Sequence, residues 1–191
     1  QNKVNEVNFI NYTDLNRENT EKVLEYRNQE DVRKWMINDS EISLENHLYF
    51  INILKKSTDK HYFAATKSNV IIGSVSIVDC NSSSCTVGLF LGKKFRGNGI
   101  ELAYFSQLYV FNYLKLEEIT IKVHVDNKNA IDYNVFLGFK LYNLKGLWLS
   151  FRLLNNKKIN DYETFTRHCI KNYKLNKYEY TEIYGTFCGT I

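Results

Sequence analysis

The chain has 191 residues, of which 44% are hydrophobic and 15% aromatic, with a formal net charge of +4 and a sequence pI near 8.7. This length and apolar content predict one domain with a sizeable core. No apolar run approaches the roughly 18 residues that a membrane span requires. The positive charge is too modest for a DNA-binding surface, so we expect neither a membrane protein nor a nucleic-acid-binding one.

The cysteines argue against both a disulfide framework and a metal site. Their positions are Cys80, Cys85, Cys169 and Cys188, without Cys-x-x-Cys or Cys/His spacing. A chain of this size with a core does not need disulfides, so we expect free thiols and no metal. The N-terminus shows no basic-then-apolar signal pattern, and we expect a cytoplasmic protein.

The first part of the chain predicts a strand, two helices and two further strands. These elements correspond to residues 5–12, 20–36, 44–56, 61–66 and 70–79. Apolar residues recur at helical spacing in both helices, with an interruption near Asn28 in the first. The two later strands are joined by a polar turn at residues 67–69.

A basic glycine loop follows an apolar strand at residues 86–91 and leads directly into a helical pattern. Gly97 and Gly99 leave the backbone N–H groups of this loop unobstructed by Cβ atoms, and the helix N-terminus adds a positive dipole end. Three cations of the loop are Lys93, Lys94 and Arg96. The loop lacks the Walker A and dinucleotide patterns, and its charge predicts a ligand with several negative charges.

A second strand and helix follow further along the chain. Residues 119–125 alternate apolar and polar side chains and predict a strand with one buried face. Asn127 suits a helix start and Gly138 a helix stop, so a helix is predicted between them. Two more strands are predicted at residues 140–154 and 161–168.

The loop and the second helix together resemble the two motifs of the GNAT acyltransferases. The residues that carry the resemblance are Lys94, Gly97 and Gly99 in the loop, Asn127, Ala130 and Ile131 at the helix start, and Leu137, Gly138 and Phe139 at its end. Lys94 replaces the Gln or Arg of the family pattern. The resemblance implies an α/β (α+β) fold, with a central, mixed but mostly antiparallel sheet flanked by helices. It covers a single domain at residues 1–168 and leaves residues 169–191 as a C-terminal extension packed on or near that domain.

The same resemblance implies an acetyl-CoA-dependent N-acetyltransferase in which the amine attacks the thioester directly. Acetyl-CoA is then a cosubstrate, and its contacts are implied at Leu89, Phe90, Leu91, Lys94, Phe95, Arg96, Gly97, Asn98, Gly99, Ile100, Asn127, Ala130 and Asn134. A backbone N–H near Leu89 or Phe90 is implied to polarise the thioester carbonyl.

A closer resemblance is carried by residues 24–28, 32–36 and 42–50 in the first helical region, and by residues 62–63 and 72–74 in the strands that follow. These residues resemble the nucleotide-sugar N-acetyltransferases of the pseudaminic acid pathway. Those enzymes acetylate the 4-amino group of UDP-4-amino-4,6-dideoxy-N-acetyl-β-L-altrosamine. The implied substrate contacts are Arg27, Trp35, Met36, His47, Phe50, Ser74, Ser76 and Phe90. Arg27 and His47 are the implied diphosphate ligands, because guanidinium and imidazole donate to phosphate. Structural alternatives stay open, since Arg27 has acidic neighbours and Trp35 and Met36 stand at helical spacing.

The catalytic groups are less clearly marked. Family members commonly place a tyrosine in the second helix to protonate the leaving thiolate, and Asn134 stands there, one residue after Tyr133. Because adjacent helical residues point about 100° apart, either Asn134 donates to the sulfur, a water serves, or the helix is locally rotated. His124 is the candidate base, with a water relay as the alternative.

Other interpretations of the chain remain open. The features of the first helix also resemble RimL-like acetyltransferases of protein N-termini, and the departure at Asn134 would suit a non-catalytic acyl-CoA-binding domain. The small-molecule nucleotide sugar is the expected partner. The extension at residues 169–191 has three open roles: packing on the sheet edge, a contact in a homodimer, or a loop over the substrate.

Overall fold

A computed structural model describes the backbone of residues 2–188 and the side chains of residues 3–187. Cys80, Cys85 and Cys169 are free thiols, as predicted, whereas the side chain of Cys188 lies outside the described residues. Among the helices described, none combines the length and the apolar character that crossing a membrane requires.

One eight-stranded sheet runs through the molecule in the order β1-β2-β3-β4-β5-β6-β8-β7. The strands are β1 (Asn2–Val4), β2 (Val7–Asn11), β3 (His61–Lys67), β4 (Val70–Val78), β5 (Ser84–Leu91), β6 (Glu118–His124), β7 (Lys140–Lys145) and β8 (Trp148–Leu154). Every neighbouring pair is antiparallel except β5 and β6, which are parallel. The predicted mixed, mostly antiparallel sheet is therefore confirmed.

Helices lie between and beyond these strands. They are α1 (Arg17–Asn28), α2 (Glu30–Arg33), α3 (Leu44–Leu54), α4 (Gly99–Gln107), α5 (Lys128–Phe136) and α6 (Tyr162–Cys188). A short π-helix, Leu108–Tyr113, continues α4, and 3-10 turns span Tyr12–Asp14 and Lys93–Asn98. The side chains of Asn16, Ser43 and Asn127 each accept a backbone N–H in the first turn of α1, α3 and α5, which fixes where these helices begin.

Two apolar layers lie on opposite faces of the sheet. The larger one contains residues from α4, α5 and α6, and Phe9 stacks on Phe105 there at a centroid distance of 3.8 Å. The smaller one, which includes Tyr12, Val23 and Ile51, lies between α1, α3 and the first strands. Because side chains alternate along a strand, this second face continues across β6 and β8, where it carries polar residues.

The C-terminal part of the chain differs from the sequence prediction. The single strand predicted at residues 140–154 is instead a hairpin of two strands, β7 and β8, which turns at Gly146, whose φ is +60°. The predicted strand at residues 161–168 is instead the start of α6. Its apolar residues follow helical spacing, and Asp161 accepts the backbone N–H of Thr164 at 2.7 Å, which begins a helix. α6 runs on without a break past residue 168.

The single strand predicted at residues 5–12 also differs from the structure. β1 and β2 form a hairpin, and Asn5 and Glu6 turn the chain with φ of 45° and 69°. Two consecutive residues with positive φ are the signature of a tight hairpin turn. Because Asn5 and Glu6 form the turn, β2 begins at Val7, two residues later than predicted.

Candidate active site

A wedge between β5 and β6 forms the centre of the site. The two strands pair only from Ser84 to Thr86, although β5 continues to Leu91 and β6 to His124. β4 pairs with β5 along this same stretch and β8 pairs with β6, so the two halves of the sheet separate without losing their outer partners. The inner edge of β5 therefore offers backbone N–H and C=O groups to a ligand that enters the wedge.

The glycine loop follows the end of β5, on the side of the wedge where the two strands are apart. A Cβ built on Gly97 would meet no atom within 4 Å, so the backbone here can approach a ligand closely. Asn98 precedes α4 but its side chain makes no capping hydrogen bond, unlike the residues that begin α1, α3 and α5. The first backbone N–H groups of α4 thus remain available to donate to an anion.

The cations of the loop add positive charge at the same end. Lys93 and Lys94 are exposed, whereas Arg96 forms an ion pair with Asp31 of α2. Open backbone, an uncapped helix and two lysines suit a pyrophosphate, and the unpaired strand edge suits the amide-bearing arm of coenzyme A. The residues present thus fit acetyl-CoA as a cosubstrate.

Gly99 has a different role from Gly97. A Cβ on Gly99 would lie 3.1 Å from the ring of Tyr133, and the Tyr133 hydroxyl donates a hydrogen bond to the Gly99 carbonyl. Burial raises the pKa of this hydroxyl well above its ordinary value. Tyr133 therefore ties α5 to the start of α4.

Two amide side chains belong to α5, the helix that directly follows β6. Asn127 accepts the Ala130 backbone N–H at 3.3 Å and begins the helix, as its predicted start required. Asn134 donates to the Ala130 carbonyl at 2.8 Å and keeps a second N–H. α5 is a regular α-helix from Lys128 to Phe136, so the alternative of a locally rotated helix finds no support, and donation by Asn134 or by a water stays open.

The segment between α2 and α3, residues 34–43, is held against the end of α1, and we call it the wall. Arg27 donates to the carbonyls of Asn38 at 2.7 Å and Ser40 at 3.4 Å, so its guanidinium is engaged by this segment. Asn28 exchanges two hydrogen bonds of 2.8 Å with the backbone of Ile42. Desolvation, followed by the nearby Arg33, lowers the pKa of Arg27.

This wall brings Trp35 against the end of β6. The ring centroid of His124 lies 5.8 Å from that of Trp35 and 5.4 Å from that of Trp148, which pairs with His124 across β6 and β8. The imidazole is thus held between two indoles where the wedge opens. Met36 follows Trp35 and is half-buried.

The hydrogen bonding of His124 limits its ability to act as a general base. Its Nδ1 accepts the Asp126 backbone N–H at 3.1 Å, which assigns the proton of the neutral ring to Nε2. In this arrangement Nε2 is a donor. A base role would require the ring to exchange its tautomer and give up the Asp126 contact.

The remaining predicted substrate residues lie on the smaller apolar layer. Ser74 pairs with Phe90 across β4 and β5, and its hydroxyl bonds to that of Tyr12. Phe50 packs edge-on against Tyr62 at 4.9 Å. Ser76 donates to the Gly88 carbonyl at 3.3 Å, two pairs further along the same strands.

His47 is buried rather than open to a ligand. It is 6% exposed, its ring meets that of Tyr12 at 6.1 Å, and its Nε2 has no hydrogen-bond partner among the described residues. Desolvation lowers its pKa, so the neutral ring is favoured. A neutral, enclosed imidazole is a poor partner for a diphosphate.

Trp148 and Tyr12 are the residues near the site that sequence reasoning missed. Trp148 begins a strand that pairs with β6, and Tyr12 ends the first hairpin. Trp148 lies in the apolar run Leu147-Trp148-Leu149, so its local sequence marks a strand residue and not a site residue. The strand register that brings it to His124 is not readable from local pattern.

Within the described part of the chain, no group of three or more His, Cys, Asp or Glu side chains could hold a metal ion.

Comparisons with known proteins agree with this geometry. A model of the GNAT acetyltransferase domain matches residues 12–140. Two proteins named acetyltransferase PseH, from two strains of Campylobacter jejuni subsp. jejuni, are each 29% identical over 136 residues, which is 71% of this chain and 86% of each relative.

Solved structures show the same fold. Campylobacter jejuni N-acetyltransferase PseH in complex with acetyl coenzyme A superposes with a TM-score of 0.67 at 23% identity, over 78% of this chain and 99% of that one. Spermidine N-acetyltransferase from Vibrio cholerae, in complex with CoA and spermine, gives a TM-score of 0.72 at 16% identity, over 81% and 99% of the two chains. Since the family model spans more than half of the sequence, the chain belongs to the GNAT family and is an acetyl-CoA-dependent N-acetyltransferase.

Proposed function

We propose that this enzyme acetylates the 4-amino group of a UDP-linked amino sugar in pseudaminic acid biosynthesis, with UDP-4-amino-4,6-dideoxy-N-acetyl-β-L-altrosamine as the acceptor. The observation that carries the proposal is the similarity to the PseH acetyltransferases, which extends over 86% of their length at 29% identity. The motifs of the first helical region support the same acceptor class.

Acetyl-CoA supplies an acetyl group activated as a thioester. On the protein side, the unpaired edge of β5 near Leu89 and Phe90 is suited to donate a backbone N–H to the carbonyl oxygen on which charge develops. The loop and the uncapped start of α4 hold the phosphate end in place. These are backbone interactions, so their geometry is fixed by the fold.

The acceptor amine approaches from the open end of the wedge. Trp35, His124 and Trp148 meet there and provide aromatic surface for a sugar ring, while Nε2 of His124 can donate to a sugar oxygen. Positioning the amine next to the thioester supplies much of the rate acceleration in such a direct attack. Because Nδ1 of His124 already accepts the Asp126 backbone N–H, the amine proton passes to water rather than to His124.

The leaving thiolate lies on the side of α5. Asn134 has a second N–H after its bond to Ala130 and can donate it to sulfur, whereas the Tyr133 hydroxyl is committed to Gly99. A hydrogen bond from an amide stabilises a thiolate without transferring a proton. Asn134 therefore takes the place of a general acid in this proposal.

The test is coenzyme A release by the purified protein, given acetyl-CoA with each of three acceptor classes. These are UDP-4-amino sugars of different stereochemistry, peptides with free N-termini, and polyamines. Selective turnover of the altrosamine derivative is the expected result. Turnover confined to peptides or polyamines would overturn the acceptor and leave the acetyltransferase family in place.

A further inference from the structure

The second face of β6 and β8 is a polar surface that continues from the mouth of the wedge. We call it the open face and define it by three pairs across the two strands: His124 with Trp148, Lys122 with Ser150, and Thr120 with Arg152. The alternate residues of these strands, such as Val123 and Phe151, point into the larger core. The open face thus presents an aromatic end next to the wedge and a cationic end beyond it.

Two cations of the open face have no acidic partner. Lys122 is exposed and makes no ion pair or hydrogen bond with any described residue. Arg152 is exposed as well, and its guanidinium lies over the ring of Tyr142 at 5.3 Å. Glu118, further along β6, pairs with Leu154 and forms no ion pair with Arg152.

The arginines on the other side of the wedge are already engaged. Arg27 bonds to the carbonyls of Asn38 and Ser40, and Arg96 is paired with Asp31. Moving either of them to a diphosphate would break contacts that hold the wall or the loop. Lys122 and Arg152 can bind an anion without such a loss.

The spacing along β6 matches the acceptor proposed above. A pyranose carries a C4 amine and a C1 diphosphate at opposite ends of its ring. His124 and Lys122 lie about 7 Å apart along β6, and Thr120 lies about 13 Å from His124, at the usual rise per strand residue. A sugar that rests on the aromatic pair with its amine toward the wedge therefore directs its diphosphate along the cationic pair.

We propose that Lys122 and Arg152 bind the diphosphate of a nucleoside-diphosphate sugar whose sugar ring lies on His124 and Trp148. The inference rests on the proposed function and names which surface of the protein receives the nucleotide. Arg152 supplies the planar fork that suits two phosphate oxygens, and Lys122 supplies a mobile point charge.

The experiment compares Lys122→Met and Arg152→Gln with the matched variants Lys157→Met and Arg167→Gln, whose cations lie on other surfaces and pair with Glu117 and Glu163. Steady-state kinetics give the KM of the UDP-4-amino sugar and of acetyl-CoA, and calorimetry gives the Kd of UDP alone. Each open-face variant should raise the nucleotide-sugar KM and the UDP Kd by about 10- to 100-fold. The KM of acetyl-CoA and the turnover of the matched variants should stay unchanged.

The outcomes separate the inference from the proposed function. If the unaltered protein acetylates the UDP sugar and the open-face variants keep its KM, the inference is overturned and the function stands. If the unaltered protein acetylates only acceptors without a nucleotide, both are overturned. Partial recovery of UDP binding by Arg152→Lys would support a charge contact over a structural role of Arg152.

Discussion

Gly97 and Gly99 lie two residues apart in the loop, but they face different surroundings. A Cβ on Gly97 would point into open space, and a Cβ on Gly99 would press on the Tyr133 ring at 3.1 Å. Gly97→Val should therefore raise the KM of acetyl-CoA by at least about 10-fold, because the side chain occupies the approach of the phosphates, with little change in Tm. An unchanged KM would argue that no phosphate approaches Gly97.

Gly99→Ala is expected to show the reverse pattern. The Tyr133 ring must shift by a few tenths of an ångström, and overpacking of this kind costs about 1–3 kcal/mol. Urea unfolding should report that loss of stability, with a smaller effect on the KM of acetyl-CoA. A stable variant would show that the space between α4 and α5 can expand.

Tyr133 provides a direct check on the catalytic acid. Its hydroxyl donates to the Gly99 carbonyl, and burial raises its pKa, so the proton is held through the usual assay range. Tyr133→Phe should reduce the free energy of unfolding by about 1 kcal/mol for the lost hydrogen bond, and kcat should fall by less than about 10-fold. A fall of 100-fold or more, with stability retained, would identify Tyr133 as the acid.

Among the elements of the fold, the segment at residues 34–43 connects α2 and α3 to the end of β6. Asn28 holds it through both bonds to Ile42, and Trp35 reaches His124 from it. Asn28→Ala should release the segment and lower kcat/KM for the acceptor by about 10-fold or more, while the KM of acetyl-CoA changes little. Trp35 fluorescence should shift toward that of an exposed indole. An unaltered emission spectrum would contradict this role of Asn28.

The elements also show which parts of the site the sequence could predict. The glycine loop and the start of α5 were predicted because strand, turn and helix cap are consecutive in the chain. The contact of Trp148 with His124 depends on the register of β6 against β8, which no local pattern encodes. The first residues of α6 were predicted as a strand, because their Tyr, Thr and Phe side chains favour strands. Tyr162, Phe165 and Cys169 nevertheless stand at helical spacing.

For the molecule as a whole, the buried His47 and the partly buried His61 make stability depend on pH. Burial lowers the pKa of His47 and of His61, and Nε2 of each lacks a hydrogen-bond partner among the described residues. In the unfolded chain both rings titrate near pH 6.5. Below that pH the unfolded state binds more protons than the folded state, so stability is fully present above about pH 6.5 and is lost as the pH falls.

Urea unfolding at pH 7.5 and at pH 5.5 measures this loss directly. His47→Gln and His61→Gln should each be less stable than the parent at pH 7.5, because the packing around each ring is disturbed. Each should nevertheless lose less stability between the two pH values, since one protonation is removed, and the double variant should lose least. The informative quantity is the change in the free energy of unfolding between the two pH values. A double variant whose unfolding free energy changes as much as the parent's would show that carboxylates, and not these imidazoles, set the acid limit of the fold.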